Sequence, residues 1–347
     1  GYNMPTAWNN RNVMYGPMTT LCFDVPGSYT VELWAVDPNG NTATTTRSYT
    51  VVDPNTAFAG ALTVCVNPSG NNDYSWAPAG AQTITSAGTD IDRVNAARTL
   101  YLAAPFDQNR RLIFGPSGAT FDLRVASPAV GNEVLNFNTS ARRHYIAGAG
   151  SGVTILHGIG NGVNFNRAMN SPSVTITNIT FEGGWNEETE VSSSGQVHAG
   201  TNIFAQAETH YTFHKLTLRG GYAFFDHGGD RNIGTSERFL RRFIFSECFM
   251  TSWAWEGYYG NAPAANGAAY PSDTSKQPFA VAFLGTKAVR SPLSLTGPDK
   301  WAPDGVHNGY GVQLRTVPCS RPAQQLLTWP ALLCSACGAG DQRSSWA

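Results

Sequence analysis

The densest polar cluster in the sequence is Asp226-His-Gly-Gly-Asp-Arg231. Two carboxylates and a histidine so close together carry the groups needed to hold a cation or to give and take protons. The same residues could equally make an Asp/Gly turn with a solvated histidine. Arg219, a short distance upstream, adds a positive charge that could handle substrate charge or protons, so Asp226, His227, Asp230 and Arg219 form the candidate catalytic set. Glu182 joins Asp226 and Asp230 as the candidate carboxylates for a metal. Trp253 and Trp255, in Trp253-Ala-Trp-Glu-Gly-Tyr-Tyr259, would share one face of an extended segment. Aromatic faces stack on sugar rings, although core packing explains the same residues. Lys215 completes the candidate substrate-binding residues. Glu187, Glu188 and Glu190 read as a solvated acidic turn, and His198, His210 and His214 as ordinary histidines, because His-x3-His without a helical pattern is weak for a metal.

Composition limits what these groups can serve. The 347 residues contain 23 Lys+Arg against 24 Asp+Glu, a net charge of −1, which argues against a nucleic-acid binder with its basic excess. Only 14% of residues are charged, which argues against a long solvated helix or coiled coil. No apolar run is long enough to span a bilayer as a helix. Abundant Gly, Thr, Asn and Ser, with 12% aromatics, predict an all-β chain. Six cysteines are scattered; Cys22 and Cys65 could bridge if the fold joined them, and Cys334-Ser-Ala-Cys337 lacks the second pair or histidines of a zinc site.

The elements that must position the candidates are short strands. Residues 1–53 contain a hairpin: Tyr29, Val31, Leu33 and Ala35 alternate with Thr30, Glu32 and Trp34, Asp37-Pro-Asn-Gly40 makes the turn, and Thr42–Val52 returns. A linker covers 54–60. Residues 61–105 read as a strand, Leu62–Val66, then a loop and a helix capped near Thr89-Asp90, with Ile91, Val94 and Ala97 at helical spacing. Such a helix can hide the open end of a stack of strands.

From 106 to 317 a weak repeat appears. Val174–Gly184 aligns with Tyr211–Gly221, and Phe243–Ser252 follows the same pattern. Apolar residues recur in three rows: Ile176/Phe213/Phe245, Ile179/Leu216/Cys248 and Phe181/Leu218/Met250. The first two rows are three residues apart, which predicts a kink between them. One copy cannot bury its apolar row alone, so the copies must stack, and unequal intervals predict loops of variable length on one side. The prediction is a right-handed parallel β-helix. In it, Asn178, Lys215 and Glu247 share one outward ladder, and Glu182, Arg219 and Thr251 another, where Glu182–Arg219 and Lys215–Glu247 are expected mainly as surface ion pairs. Residues 318–347 lose the alternation and read as an irregular, disordered or frameshifted tail.

Two stretches carry family resemblances. Asp24-Val-Pro-Gly-Ser-Tyr-Thr-Val31 with Val36-Asp-Pro-Asn-Gly-Asn-Thr-Ala43 resembles the second half of a PKD-type immunoglobulin-like domain, here with its first strands truncated. That implies a β-sandwich spacer or sugar-contacting appendage of a secreted bacterial protein. His144-Tyr-Ile-Ala-Gly-Ala-Gly-Ser-Gly-Val-Thr-Ile-Leu-His-Gly158, followed by Val174-Thr-Ile-Thr-Asn-Ile-Thr-Phe-Glu-Gly-Gly184, resembles the pectin-lyase-like superfamily. The resemblance implies a parallel β-helix over roughly 99–317. It implies a polysaccharide partner and, for a lyase, Ca²⁺ held by carboxylates with Arg219 or Lys215 removing the proton α to a uronate carboxylate. The cluster at Asp226 lacks the Asn-x-Asp, Asp-Asp and Gly-His-Gly motifs of polygalacturonase-like hydrolases. The expectation is an extracellular or cell-surface protein that binds, and as a lyase or glycoside hydrolase would cleave, a polysaccharide. The alternatives are a non-enzymatic adhesive stalk and a phage tailspike-like receptor binder.

Overall fold

A computed structural model describes residues 23, 25–105, 107–124, 133–137, 143–158, 161–165, 173–186, 191–192, 203–205, 210–221, 223–227, 242–251, 256–260, 281–284, 286–289, 306–307 and 312–315. The chain divides into two compact units, residues 1–61 and 62–347.

In the first unit, β1 (Gly27–Val36) and β2 (Thr42–Val51) pair antiparallel from Gly27↔Val51 to Val36↔Thr42. Asp37 closes the turn: its carboxylate accepts from the Asn39 and Asn41 backbone N–H groups, at 2.9 and 2.8 Å, and from the Asn41 amide at 2.7 Å. The Asn41 side-chain amide, first among these donors, holds the Asp37 carboxyl below the usual carboxylate range. Where a linker was expected, one helical turn forms, α1 (Pro54–Ala57). The reason is local: Asp53 caps it by accepting from Asn55 N–H at 2.7 Å, and Pro54 pre-sets φ at the first helical position.

The second unit opens with β3 (Leu62–Val66), β4 (Gln82–Thr83) and α2 (Asp90–Leu102). Thr89 caps α2 in a reciprocal box with Asp92, and Val94, Ala97 and Tyr101 enter the hydrophobic core. Two buried arginines fasten this region through carbonyl oxygens. The Arg93 guanidinium donates to Pro68, Asn71 and Ile84 carbonyls and to the Asn72 side chain. Arg110 donates to the carbonyls of Tyr101, Leu102, Ala104 and Pro105 at the helix end, where cations complement the dipole.

Six circuits of three strands follow among the described residues. They are β5 (Asn109–Phe114), β6 (Thr120–Asp122), β7 (Glu133–Phe137); β8 (Arg143–Gly148), β9 (Val153–Gly158), β10 (Asn161–Phe165); and β11 (Ser173–Thr177), β12 (Ile179–Gly183). The third circuit carries a side hairpin, β13 (Trp185–Asn186) with β14 (Val191–Ser192), before β15 (Ile203–Ala205). Next come β16 (His210–His214), β17 (Thr217–Arg219), β18 (Ala223–His227); β19 (Arg242–Ser246), β20 (Phe249–Thr251), β21 (Glu256–Gly260); β22 (Val281–Leu284), β23 (Lys287–Val289), β24 (Val306–His307); and finally β25 (Val312–Arg315).

Every circuit strand pairs in parallel with its counterpart in the next circuit. The chain therefore visits three sheets in cyclic order: the first holds β5-β8-β11-β16-β19-β22-β25 with β3 and β4, the second β6-β9-β12-β17-β20-β23, and the third β7-β10-β15-β18-β21-β24. The fold is mostly β with parallel sheets. Leu112, Ile146, Ile176, Phe213 and Phe245 lie in one register row of the first sheet and are fully buried. Phe121, Ile155, Phe181, Leu218 and Met250 do the same in the second. The rows expected from the repeat are thus real neighbours.

The expected kink is also present. Asn178, Lys215 and Glu247 have φ of 57°, 52° and 54°, the left-handed region, and turn the chain from the first sheet into the second within one or two residues. Hydrogen bonding continues through that corner: Asn178 N–H donates to the His214 carbonyl at 3.2 Å and Lys215 N–H to the Ser246 carbonyl at 2.9 Å. Cys65 is a buried thiol outside any disulfide, so no Cys22–Cys65 bridge forms, and burial pushes that thiol up to about 12.

Candidate functional site

The structure sorts the candidate residues among three different places. Arg219, at the end of β17, registers with Glu182 of β12, and its guanidinium donates to the Glu182 carboxylate at 2.5 Å. Both side chains are well exposed, 45% and 36%, so the pair is worth about 0–1 kcal/mol. A guanidinium offers donors and no acceptor, and this one is already committed to a carboxylate. Asp122 and Arg124 lie close by in the same sheet, paired at 2.6 Å, and the Glu182 charge also acts on Arg124. The Arg124 side chain, through its hydrogen bond, holds the Asp122 carboxyl below its usual range. The outer end of the second sheet is therefore a run of compensated charges.

Lys215 belongs to the short corner, 215–216, between the first and second sheets. Its ammonium lies 3.8 Å from the Glu247 carboxylate of the next circuit. Asp226 sits in another sheet, so nothing brings Lys215 to it.

The structure places Asp226 and His227 inside β18, in the third sheet, at its C-terminal end. Consecutive strand residues belong to opposite faces. His227 registers with Ala205, in the row that begins at buried Phe137, whereas Asp226 registers with Phe204 and Tyr259. Asp230, Trp253 and Trp255 lie outside the described residues, as do Glu187, Glu188, Glu190 and His198. Among the described residues, no group of three His, Cys, Asp or Glu side chains converges as a metal site would require.

A register row that sequence reasoning missed runs along the third sheet. Asn136, Asn164, Phe204, Asp226, Tyr259 and His307 align across six strands. The preceding row begins Leu135, Val163 and Ile203, all fully buried. Along these strands the Asp226 row alternates with that buried row. Its members fall at intervals too irregular to pair by eye, because the connections between them differ in length; only the strand register aligns them.

Those connections are distributed unevenly. From first to second sheet the chain needs 115–119 and 149–152, then 178, 215–216 and 247–248. The long connections, 184–202, 228–241, 261–280 and 290–305, all adjoin strands of the third sheet. Asp230 falls in 228–241, and Trp253 and Trp255 in 252–255, immediately before β21. Connections that vary in length on a constant scaffold are where binding residues concentrate.

No protein-family model matches this chain, and no curated protein or solved structure matches it.

Proposed function

We propose that the second unit is a right-handed parallel β-helix of the pectin-lyase-like kind, and that it binds an extended extracellular polysaccharide along the outer face of the third sheet. The observation that carries this is the concentration of long connections at the strands of that sheet, beside a continuous register row of amide, aromatic, carboxylate and imidazole residues that strand alternation would turn outward. The row rises by about 4.8 Å per strand, so a linear polymer lying along it meets a new position at each circuit. Sugars present apolar faces and hydroxyl edges, which such a mixture complements. Right-handedness follows from the strong preference of parallel crossovers for that hand.

Asp226 is the central polar residue of this reading. Asp230 would join it from the adjoining connection as acid, base or Ca²⁺ ligand, and Trp253 and Trp255 would stack sugars from theirs. Glu182 and Arg219 form a charged border on the neighbouring sheet, and Lys215 belongs to the scaffold corner. The hairpin of the first unit is read as part of a PKD-like module of a secreted or surface-attached bacterial protein. Because Glu182 is compensated by Arg219, a non-catalytic stalk is the second reading, and it shares the same binding face.

The test is affinity electrophoresis and turnover of the full chain on neutral and acidic glycans, with and without Ca²⁺. Binding that falls about tenfold or more in Asp226→Ala is expected, since a lost hydrogen bond to a charged group is worth about 1.5–3 kcal/mol. Ultraviolet-absorbing unsaturated ends would identify a lyase, and new reducing ends alone a hydrolase. Wild-type retention of every glycan by Asp226→Ala would remove this face from the account.

A further inference from the structure

Charge is sorted among the three sheets. Among the described residues, no strand of the first sheet contains Asp or Glu, yet these strands hold Arg110, Arg111, Arg143, Arg242 and Arg315. Strands of the third sheet hold Glu133, Asp226 and Glu256 but neither Lys nor Arg. The second sheet is mixed, with Asp122 and Glu182 against Arg219 and Lys287. A chain of net charge −1 has gathered its strand arginines in one sheet.

The outer face of that sheet is set by alternation with buried rows. His144, Val174, Tyr211 and Phe243 form one buried row, and Ile146, Ile176, Phe213 and Phe245 another. Between them lies the row Thr63, Arg111, Tyr145, Thr175, Thr212 and Ile244. The Arg111 guanidinium lies over the half-buried Tyr145 ring at 5.6 Å. To one side of this row Arg143 is exposed, and half-buried His210 registers with Arg242. To the other side lies His214, also half-buried. Basic residues thus occupy three outward rows, over about 13 Å along the strands and about 14 Å from β8 to β19. Among the described residues, the acids that adjoin these strands in sequence are Asp107, before β5, and Glu247, which Lys215 matches at 3.8 Å.

We propose that the outer face of the first sheet docks on an anionic lipid surface. A single file of cations would suit a thread-like polyanion, whereas a patch spread in two dimensions suits the two-dimensional array of headgroups in a bilayer leaflet. Guanidinium groups hold phosphate through two donors at once, and every strand cation of this sheet other than histidine is Arg. The Tyr145 ring has the amphipathic character that settles at headgroup depth. The contact is peripheral, since no helix among the described residues is long and apolar enough to cross a membrane. This inference does not rest on the glycan reading, which concerns the third sheet.

The experiment is co-sedimentation of the full chain with phosphatidylcholine vesicles, with and without about one third phosphatidylglycerol. Partitioning is expected on the anionic vesicles alone, and raised salt should release it. Arg143→Ala should lower it about fivefold, the share of one arginine near such a surface, and Arg143→Glu more. Thr212→Glu keeps every arginine but places an acid in the middle row, and should lose at least as much as Arg143→Ala. Lys287→Ala, on the second sheet, should stay within about twofold of wild type, since its charge lies off the docking face. Unchanged far-ultraviolet circular dichroism distinguishes lost docking from lost folding. Wild-type partitioning by both Arg143→Glu and Thr212→Glu overturns the proposal. So does equal binding to neutral vesicles, or capture of soluble polyphosphate with no vesicle binding, which would make the face a site for a thread. An Asp226→Ala chain that loses glycan but keeps the anionic vesicles separates the two faces. If vesicle binding is absent while glycan binding persists, this inference alone fails.

Discussion

The corner between the first and second sheets and the two ends of the third sheet belong to the same circuits but obey different rules. At the corner, both flanking residues are core residues: Ile176 and Ile179 in one circuit, Phe213 and Leu216 in the next. In these circuits the chain between the strands is only one or two residues long, and a left-handed residue preserves hydrogen bonding from one circuit to the next. At the third sheet, connections range from 159–160 to 261–280 without interrupting strand register. Packing fixes the first region and leaves the second free to vary in length.

The largest expected effect comes from attacking the fixed side. Phe213 is fully buried, with its ring 4.8 Å from that of Phe245. Phe213→Ala should lower unfolding free energy by about 3–5 kcal/mol in denaturant titration. A three-residue insertion between Gly228 and Gly229 should cost less than about 1 kcal/mol, since loop closure depends weakly on length. Equal costs would erase the distinction between the two regions.

Gly148 tests how closely the corners are nested. A Cβ added there would lie 2.1 Å from the Asn178 carbonyl oxygen of the next circuit, a backbone atom that cannot swing away. Gly148→Ala should cost about 3 kcal/mol, near the upper range for overpacking. Gly118, also in an early corner, has open space around an added Cβ but a φ of 76°. Gly118→Ala should therefore lose only the smaller backbone term of about 1–2 kcal/mol.

Lys215 separates backbone geometry from its ion pair. Replacing it by Gly relieves a left-handed cost of about 1–2 kcal/mol, adds about 0.5–1 in unfolded-chain entropy, and removes a weak surface pair. Stability should barely change. Lys215→Val, with a branched Cβ at φ 52°, should destabilise by more than about 1 kcal/mol in the same titration. If charge rather than geometry governs the corner, Gly and Val will cost the same.

The fixed side is also the side that the amino-acid pattern reveals. Ile176, Phe213 and Phe245 could be aligned because constant corner geometry keeps their spacing to Ile179, Leu216 and Cys248 constant. The capped helix was legible for a similar reason: Thr89 and Asp92 form a box within four residues. The row through Asn136, Asn164, Phe204, Asp226, Tyr259 and His307 was not legible, because variable connections erase its period. Asp226 and His227 looked like one site because they adjoin in sequence, yet strand alternation separates their faces. The glycines after Asp226 fall in the connection 228–241, whereas Asp226 and His227 themselves pair in parallel with β15 and β21.

The smallest effect concerns the two carboxylates that fix local turns, Asp37 in the hairpin and Asp92 at α2. Hydrogen bonds, from the Asn41 amide to Asp37 and from the Thr89 backbone N–H to Asp92, hold both carboxyls below their usual range. A group whose folded-state value is depressed releases its proton more readily when folded. Its contribution is therefore present above the unfolded value, about 3.9, and is lost as pH falls through the lower, folded one. Both turns should thus be intact at neutral pH and loosen only in that acid window. Asp92→Asn keeps an acceptor for Thr89 but cannot titrate, so amide exchange at the start of α2 should become less acid-sensitive there. Asp37→Asn should do the same for the β1–β2 turn, while exchange in β11 and β16, deep in the fixed region, should not respond to either substitution. A response in β11 or β16 to Asp37→Asn would mean that the hairpin and the stacked circuits open together, contrary to their division into separate units.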